Sequence, residues 1–207
     1  NAIYWGQNGG NAFQDNDVST YCVPEAGIDL LVLAFYEYGN GNMFPSGTIG
    51  QSCSLLPSGD SFQCEDLGAA IKKCQMNGVT VLLSLGGATG AYYLSSQQEA
   101  EMIGQHLWDA YGHTKSDVVH RPSGTTLVNG WDFDIETSGG IECYQYLINN
   151  LQSNFNSVHS NRYYITGAPQ SLIPEPNMQQ IIANSQFEYL WVQLYTILAV
   201  QLLVTLS

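Results

Sequence analysis

Apolar positions gather into six short runs, each followed by a helix-patterned or Gly-rich polar stretch. AIYWG (2–6), IDLLVLAFYEY (28–38), VTVLLSLGG (79–87), TLVNGWDFDIE (126–136), RYYITGAP (162–169) and FEYLWVQLY (187–195) read as strands. The second is apolar throughout, which predicts a strand covered on both faces. EDLGAAIKKCQMNG (65–78) has helical periodicity and closes on Asn-Gly, a C-terminal stop. SSQQEAEMIGQHLWDAYG (95–112) is an amphipathic helix with Ser ahead of its acidic first turn. Further helices are predicted near 141–155 and 176–184, and residues 39–61, rich in Gly, Ser and Pro, read as a loop. Repeated strand–helix units predict parallel strands, because each crossover must be long enough to return across the sheet. An open doubly wound sheet and a (β/α)8 TIM barrel both fit. No G-x-G-x-x-G or Walker loop opens a helix after the first strand, which weakens the nucleotide-binding form of the open sheet. Tyr36, Gly86, Glu136 and Tyr195 fall at strand C-terminal ends, where a barrel carries its active site.

Composition narrows the class. A chain of 207 residues is most simply one domain, 1–207, with a real core. Its net charge of −13 repels phosphate backbones and anionic headgroups, so nucleic acid and membrane surfaces are poor partners, while a neutral substrate is compatible. The chain starts at Asn1 without a Met or an apolar leader and reads as already processed for secretion, an extracellular protein. Five cysteines without paired CxxC spacing favour disulfides over zinc. If Cys22 pairs with Cys74 and Cys53 with Cys64, the loops are nested and worth ~4 and ~3 kcal/mol, leaving Cys143 over. No Asn-x-Ser/Thr acceptor occurs, so no N-glycan is expected. The uncharged stretch 189–207 reads as a buried strand followed by an apolar tail, since Gln193, Thr196, Gln201 and Thr205 interrupt it and no basic residues flank it.

GWDFDIE (130–136) sets Asp132, Asp134 and Glu136 at alternate positions, with Trp131, Phe133 and Ile135 between them. Strand side chains alternate between faces, so the three acids point one way, ~7 Å apart along the strand, and the apolar three point toward the helices. In a barrel the acids would rise in a column to the open end. Like charges this close push at least one pKa up, and a raised carboxyl at the mouth with a charged one behind it suits a general acid with an electrostatic helper. The alternatives are Ca2+ or Mg2+ ligation and a structural network with basic residues, of which the chain has only five.

NGWDFDIE resembles the D-x-x-D-x-D-x-E signature of family 18 glycoside hydrolases. AIYWGQN (2–8), LLSLGGATGAY (82–92), TGAPQ (166–170) and YLWVQLY (189–195) resemble the fungal and plant class III chitinases, in the family's order. The resemblance implies a (β/α)8 barrel of which about six strand–helix units are present, residues 196–207 departing from the family pattern. It implies an endo-acting chitinase cutting β-1,4 bonds in chitin or N-acetylglucosamine oligomers, monomeric and with no metal or cofactor. In that mechanism the sugar's own N-acetyl carbonyl attacks the anomeric carbon and configuration is retained, an exception to the two-carboxylate scheme. Glu136 would protonate the glycosidic oxygen and later activate water. Asp134 would hold the acetamido N–H, Asp132 would hold Asp134, and Tyr195 would orient the acetamido oxygen. Tyr4, Gln7, Gly86, Gly87, Gln170 and Gln193 would line the sugar groove, barrel packing being the alternative for each. The family also implies a cis peptide at Ala34–Phe35.

Other residues are given plainer roles. Tyr92, Tyr93 and Trp191 read as core aromatics, and His106, His113, His120 and His159, which lack metal-ligand spacing, as surface residues. Two departures from the family stand out. Asn129 replaces the first signature acid, furthest from Glu136, which implies altered tuning without loss of activity. Ser171 stands where plant members often carry cysteine. With only six units, the barrel would keep two unpaired parallel edges, which implies a longer natural protein. A non-catalytic lectin, storage or inhibitor protein on the same barrel is the competing reading. Such relatives usually lose the terminal Glu or the helper Asp, and this chain keeps both.

Overall fold

A computed structural model describes residues 1–7, 17–39, 41–51, 53–113 and 119–194. Six parallel strands form its centre, in the order β1 (Ala2–Trp5), β2 (Leu30–Gly39), β6 (Thr80–Gly86), β7 (Gly130–Asp134), β8 (Tyr164–Gly167) and β9 (Tyr189–Leu190). The helices α1 (Glu65–Met76), α2 (Gln97–Tyr111), α3 (Tyr144–Phe155) and α4 (Gln179–Asn184) lie in the crossovers. This strand–helix alternation is a partial (β/α)8 barrel, one of the two architectures the runs allow and the one the resemblance implies. All six strands and all four helices occur where the pattern places them. Helix α2 starts at Ser96, whose hydroxyl accepts the Glu99 N–H at 3.2 Å, and α1 ends at Asn77-Gly78 with Gly78 at φ 83°. The Ala34–Phe35 peptide is cis, as the resemblance implies, and Ile173–Pro174 is also cis.

The sheet is curled. In a flat sheet β1 and β7 would stand three strand spacings apart, ~14 Å. Yet the Tyr4 hydroxyl on β1 donates to Asp132 on β7 at 2.9 Å. Only an arc that wraps its inner face can bring those two side chains together. The outer face carries the hydrocarbon core. Trp131, Phe133 and Ile135 are at most 1% exposed, and each contributes ~1.5–3 kcal/mol by burial. Trp131 packs with Trp108 of α2 and Phe155 of α3, and Phe133 meets Tyr144 edge-on.

Three expectations need correction here. The predicted 39–61 loop holds an antiparallel ribbon, β3 (Asn42–Ile49), β4 (Cys53–Leu55) and β5 (Ser61–Phe62), joined to β2 through Glu37↔Ser46. Its strands are short and its turns glycine-rich, so turn composition masked the alternation. The strand at 189–195 is not buried: Tyr189 and Leu190 are 45% and 41% exposed. Among the described residues β9 pairs only with β8 and β1 only with β2, so both edges are open. Finally, His106 is no free surface residue. It stacks on Phe44 with ring centroids 4.4 Å apart and bonds Met43 O through Nδ1, tying α2 to the ribbon.

Disulfides join Cys22 to Cys74 and Cys53 to Cys64, and Cys143 is free and buried. The tail 196–207 lies outside the described residues, among which no helix is long and apolar enough to cross a membrane.

Candidate active site

Strand β7 positions the acids. Its register places Asp132 between Ser84 of β6 and Thr166 of β8, so three polar side chains share one level of the inner face. Asp132 is fully buried and multiply held. Its Oδ2 accepts from Ser84 Oγ at 2.7 Å and from the Tyr4 hydroxyl, and its Oδ1 from Thr166 Oγ1 at 2.5 Å. Burial pushes its pKa up, and the hydroxyls of Thr166, Ser84 and Tyr4 pull against that rise. The Trp191 indole N–H acts the same way from outside hydrogen-bond geometry.

Asp134 sits one level higher. Gln193 Nε2 donates to its Oδ1 at 2.7 Å and to Ala168 O at 3.0 Å. Burial first, then the charges of Glu136 and Asp132, push the Asp134 carboxyl up to about 8. Sequence reasoning expected the raised group at the mouth. The rise falls on Asp132 and Asp134, the two buried carboxyls below the mouth, and on Asp134 the acids on either side add to it.

Glu136 lies just past the strand end and is partly exposed. Its backbone N–H donates to the Tyr92 hydroxyl at 2.8 Å, and Gln170 Nε2 donates to its Oε2 at 3.4 Å. The column thus runs from a buried carboxyl saturated by hydroxyls, through one whose proton affinity is raised, to one that reaches solvent.

The glycines of SLGG have a steric reason. A Cβ on Gly86, at φ +115°, would stand 2.1 Å from Asp134 O, and one on Gly87 would stand 2.8 Å from the Phe35 ring. The Gly87 N–H donates to Asp134 O at 2.8 Å. Both glycines are buried: Gly86 lets β6 close on β7, and Gly87 leaves room for the Phe35 ring of β2.

The other candidates divide. Tyr4, Gln170 and Gln193 reach the carboxylates directly. Gln7 is exposed at the edge of a described segment, and Tyr195 lies outside the described residues. Tyr93 is 41% exposed and so not core, because it follows an irregular turn in place of a strand. Trp191 is partly buried on the open edge. Asn129 stands at the far end of the column from Glu136. Its Oδ1 accepts from the Val81 N–H at 3.0 Å and from Gln75 Nε2 at 2.9 Å, so it pins β7 to β6 and α1. Ser171 Oγ donates to Gln193 O at 2.9 Å, a hydrogen bond between the segments carrying Gln170 and Gln193.

Sequence reasoning passed over Ser84 and Thr166, although a lone polar residue at matching depth in each neighbouring strand was the available signal. It read Tyr92 as core. Tyr92 is buried, yet its hydroxyl also fixes the Glu136 backbone, which no periodicity announces.

An acid column on the inner face of a partial α/β barrel, opening at the strand C-termini, defines a glycoside hydrolase type of site. The chain belongs to glycosyl hydrolases family 18, whose family model matches residues 1–200. Endochitinase 2 of Metarhizium robertsii is 57% identical over 197 residues, which are 94% of this chain and 47% of that protein. The chain therefore spans about half the length of the curated relatives at that level of identity. A chitinase from Ipomoea carnea superposes with TM-score 0.78 at 30% identity, covering 93% of this chain and 66% of the other. A xylanase and alpha-amylase inhibitor protein from Scadoxus multiflorus superposes with TM-score 0.76 at 30% identity, covering 92% and 64%.

Proposed function

We propose that this chain carries the catalytic centre of a secreted, monomeric endo-acting chitinase, which hydrolyses β-1,4 bonds between N-acetylglucosamine units with retention of configuration. The observation that carries the reading is the graded column: Asp132 saturated by hydroxyls, Asp134 raised to about 8 beneath Glu136, and Glu136 open to solvent. Glu136 donates its proton to the glycosidic oxygen as the bond to the leaving sugar breaks. The substrate's acetamido oxygen attacks the anomeric carbon at the same time, giving a cyclic oxazolinium ion. Asp134 accepts the acetamido N–H and, in its ionised form, stabilises the developing positive charge. Glu136, now a carboxylate, takes a proton from the water that reopens the ring.

Gln193 holds Asp134 toward the sugar, and Tyr4 holds Asp132 from across the barrel. Gln170, Gln7 and Tyr195 belong to the groove on this reading. The family's chitinases support chitin as substrate, and the two disulfides suit an extracellular setting. The inhibitor-like neighbour supports a non-catalytic alternative, against which stands the presence here of both Glu136 and Asp134.

Turnover of N-acetylglucosamine oligomers by the full chain and by Glu136→Gln decides between them. The variant is expected to lower kcat by ~10²–10⁴ with KM little changed. Unchanged turnover removes Glu136 from its role, and binding without turnover in the parent chain selects the carbohydrate-binding alternative.

A further inference from the structure

The segment between β8 and α4 brings Gln170 to Glu136, and apart from a bridge from Gln170 to Gln193 it is irregular. Its start is tied twice: Ala168 N–H donates to Phe133 O at 2.9 Å, and Pro169 O accepts from the Gln193 N–H at 2.9 Å. Beyond these ties one side chain organises the turn. Glu175 Oε1 accepts the Gln170 backbone N–H at 3.2 Å. Its Oε2 accepts the N–H of Asn177 at 2.8 Å, that of Met178, and that of Gln179 at 2.9 Å. These donors run from the residue before the N-cap of α4 to its first helical residue, which has no intrahelical partner of its own. One carboxylate therefore serves four N–H groups, with a separate oxygen for the helix and for Gln170.

From this geometry we infer that Glu175 is a positioning residue for the general acid. By fixing the Gln170 main chain against the start of α4, it sets the Gln170 amide at Glu136 Oε2 and turns the other Glu136 oxygen toward the scissile bond. The inference rests on the role of Glu136 given above. The chemistry demands a carboxylate of this length. A glutamine has one acceptor oxygen, so its NH2 group would face N–H donors on one side. An aspartate can still cap the helix, but it is one methylene too short to take the Gln170 N–H as well.

That difference separates the two jobs of Glu175, so Glu175→Asp in the full chain is the informative variant. Its thermal midpoint is expected to stay near that of the parent, while kcat on N-acetylglucosamine oligomers falls roughly tenfold and KM changes less than about twofold. If Glu175 acts through Gln170, adding Glu175→Asp to Gln170→Ala costs no further activity. Effects that multiply in the double variant overturn the inference, as does parental kcat in Glu175→Asp.

A readout that needs no turnover keeps this separate from the function itself. The 13C shift of the Glu136 carboxyl, in protein labelled at glutamate, is expected to move the same way in Glu175→Asp as in Gln170→Ala. If the shift moves while the parent chain turns over no substrate, Glu175 keeps its positioning role and the chitinase reading fails. If the shift stays in place, the inference fails whatever the activity.

Discussion

Replacing Asp134 by asparagine removes the one carboxyl whose proton affinity the fold raises furthest, at almost no change in shape. Asparagine Oδ1 can still accept from Gln193 Nε2, so the hydrogen bond seen at 2.7 Å survives. What disappears is a pH dependence. In the folded parent chain Asp134 titrates at about 8, whereas an unfolded aspartate titrates near 4. Between those values the native state binds one more proton than the unfolded state. Stability therefore falls as pH rises, by about 1.4 kcal/mol per pH unit. It is fully present below about pH 4 and is lost as pH climbs through 8.

From about pH 5.5 to about pH 7.5 the loss amounts to at most about 2–3 kcal/mol. The asparagine variant lacks this contribution. Urea unfolding of both chains at the two pH values gives the comparison directly. The variant should gain about 2 kcal/mol on the parent between the lower and the higher pH, and it should lose turnover. Stability differences that are equal at both pH values would refute the raised carboxyl, and with it the account of the column.

Tyr92→Phe keeps the stacking against Tyr38 but removes the acceptor of the Glu136 N–H. It should cost about 1–3 kcal/mol in urea unfolding and lower kcat/KM on the same oligomers. The disulfide Cys22–Cys74 closes a 52-residue separation and Cys53–Cys64 one of 11. Replacing each pair by serine should cost ~4 and ~3 kcal/mol respectively, with thermal or urea midpoints ranking them in that order. Asn129→Asp retains the acceptor for Val81 and Gln75 and should leave kcat within about twofold, whereas Asn129→Leu should destabilise the fold by about 1–3 kcal/mol in the same urea assay.

The architecture was legible because the six strands carry strong apolar runs and the crossovers between them carry helical periodicity with explicit caps such as Ser96 and Asn77. The acids were legible because their period of two contradicts the hydrophobicity of the strand they occupy. What escaped was whatever depends on distant segments meeting. Tyr4 and Asp132 are 128 residues apart, and Glu175 reaches Gln170 through an irregular turn with no repeat to read. The ribbon at 42–62 escaped for a different reason. Its strands are two to eight residues long, and the glycines that make its turns lower the apolar content on which a strand assignment rests. The location of the raised pKa also needed coordinates, since alternate spacing alone does not say which carboxyl lies deepest.

The hydroxyl of Tyr4 gives the chain's first strand an influence out of proportion to its four residues. It is the strut that braces the foot of the acid column from the opposite wall. Trimming a handful of residues from that end would leave the family signature whole in the sequence and yet unhook the carboxylate at its base. A shortened variant would keep the acidic signature and lose the strut beneath it.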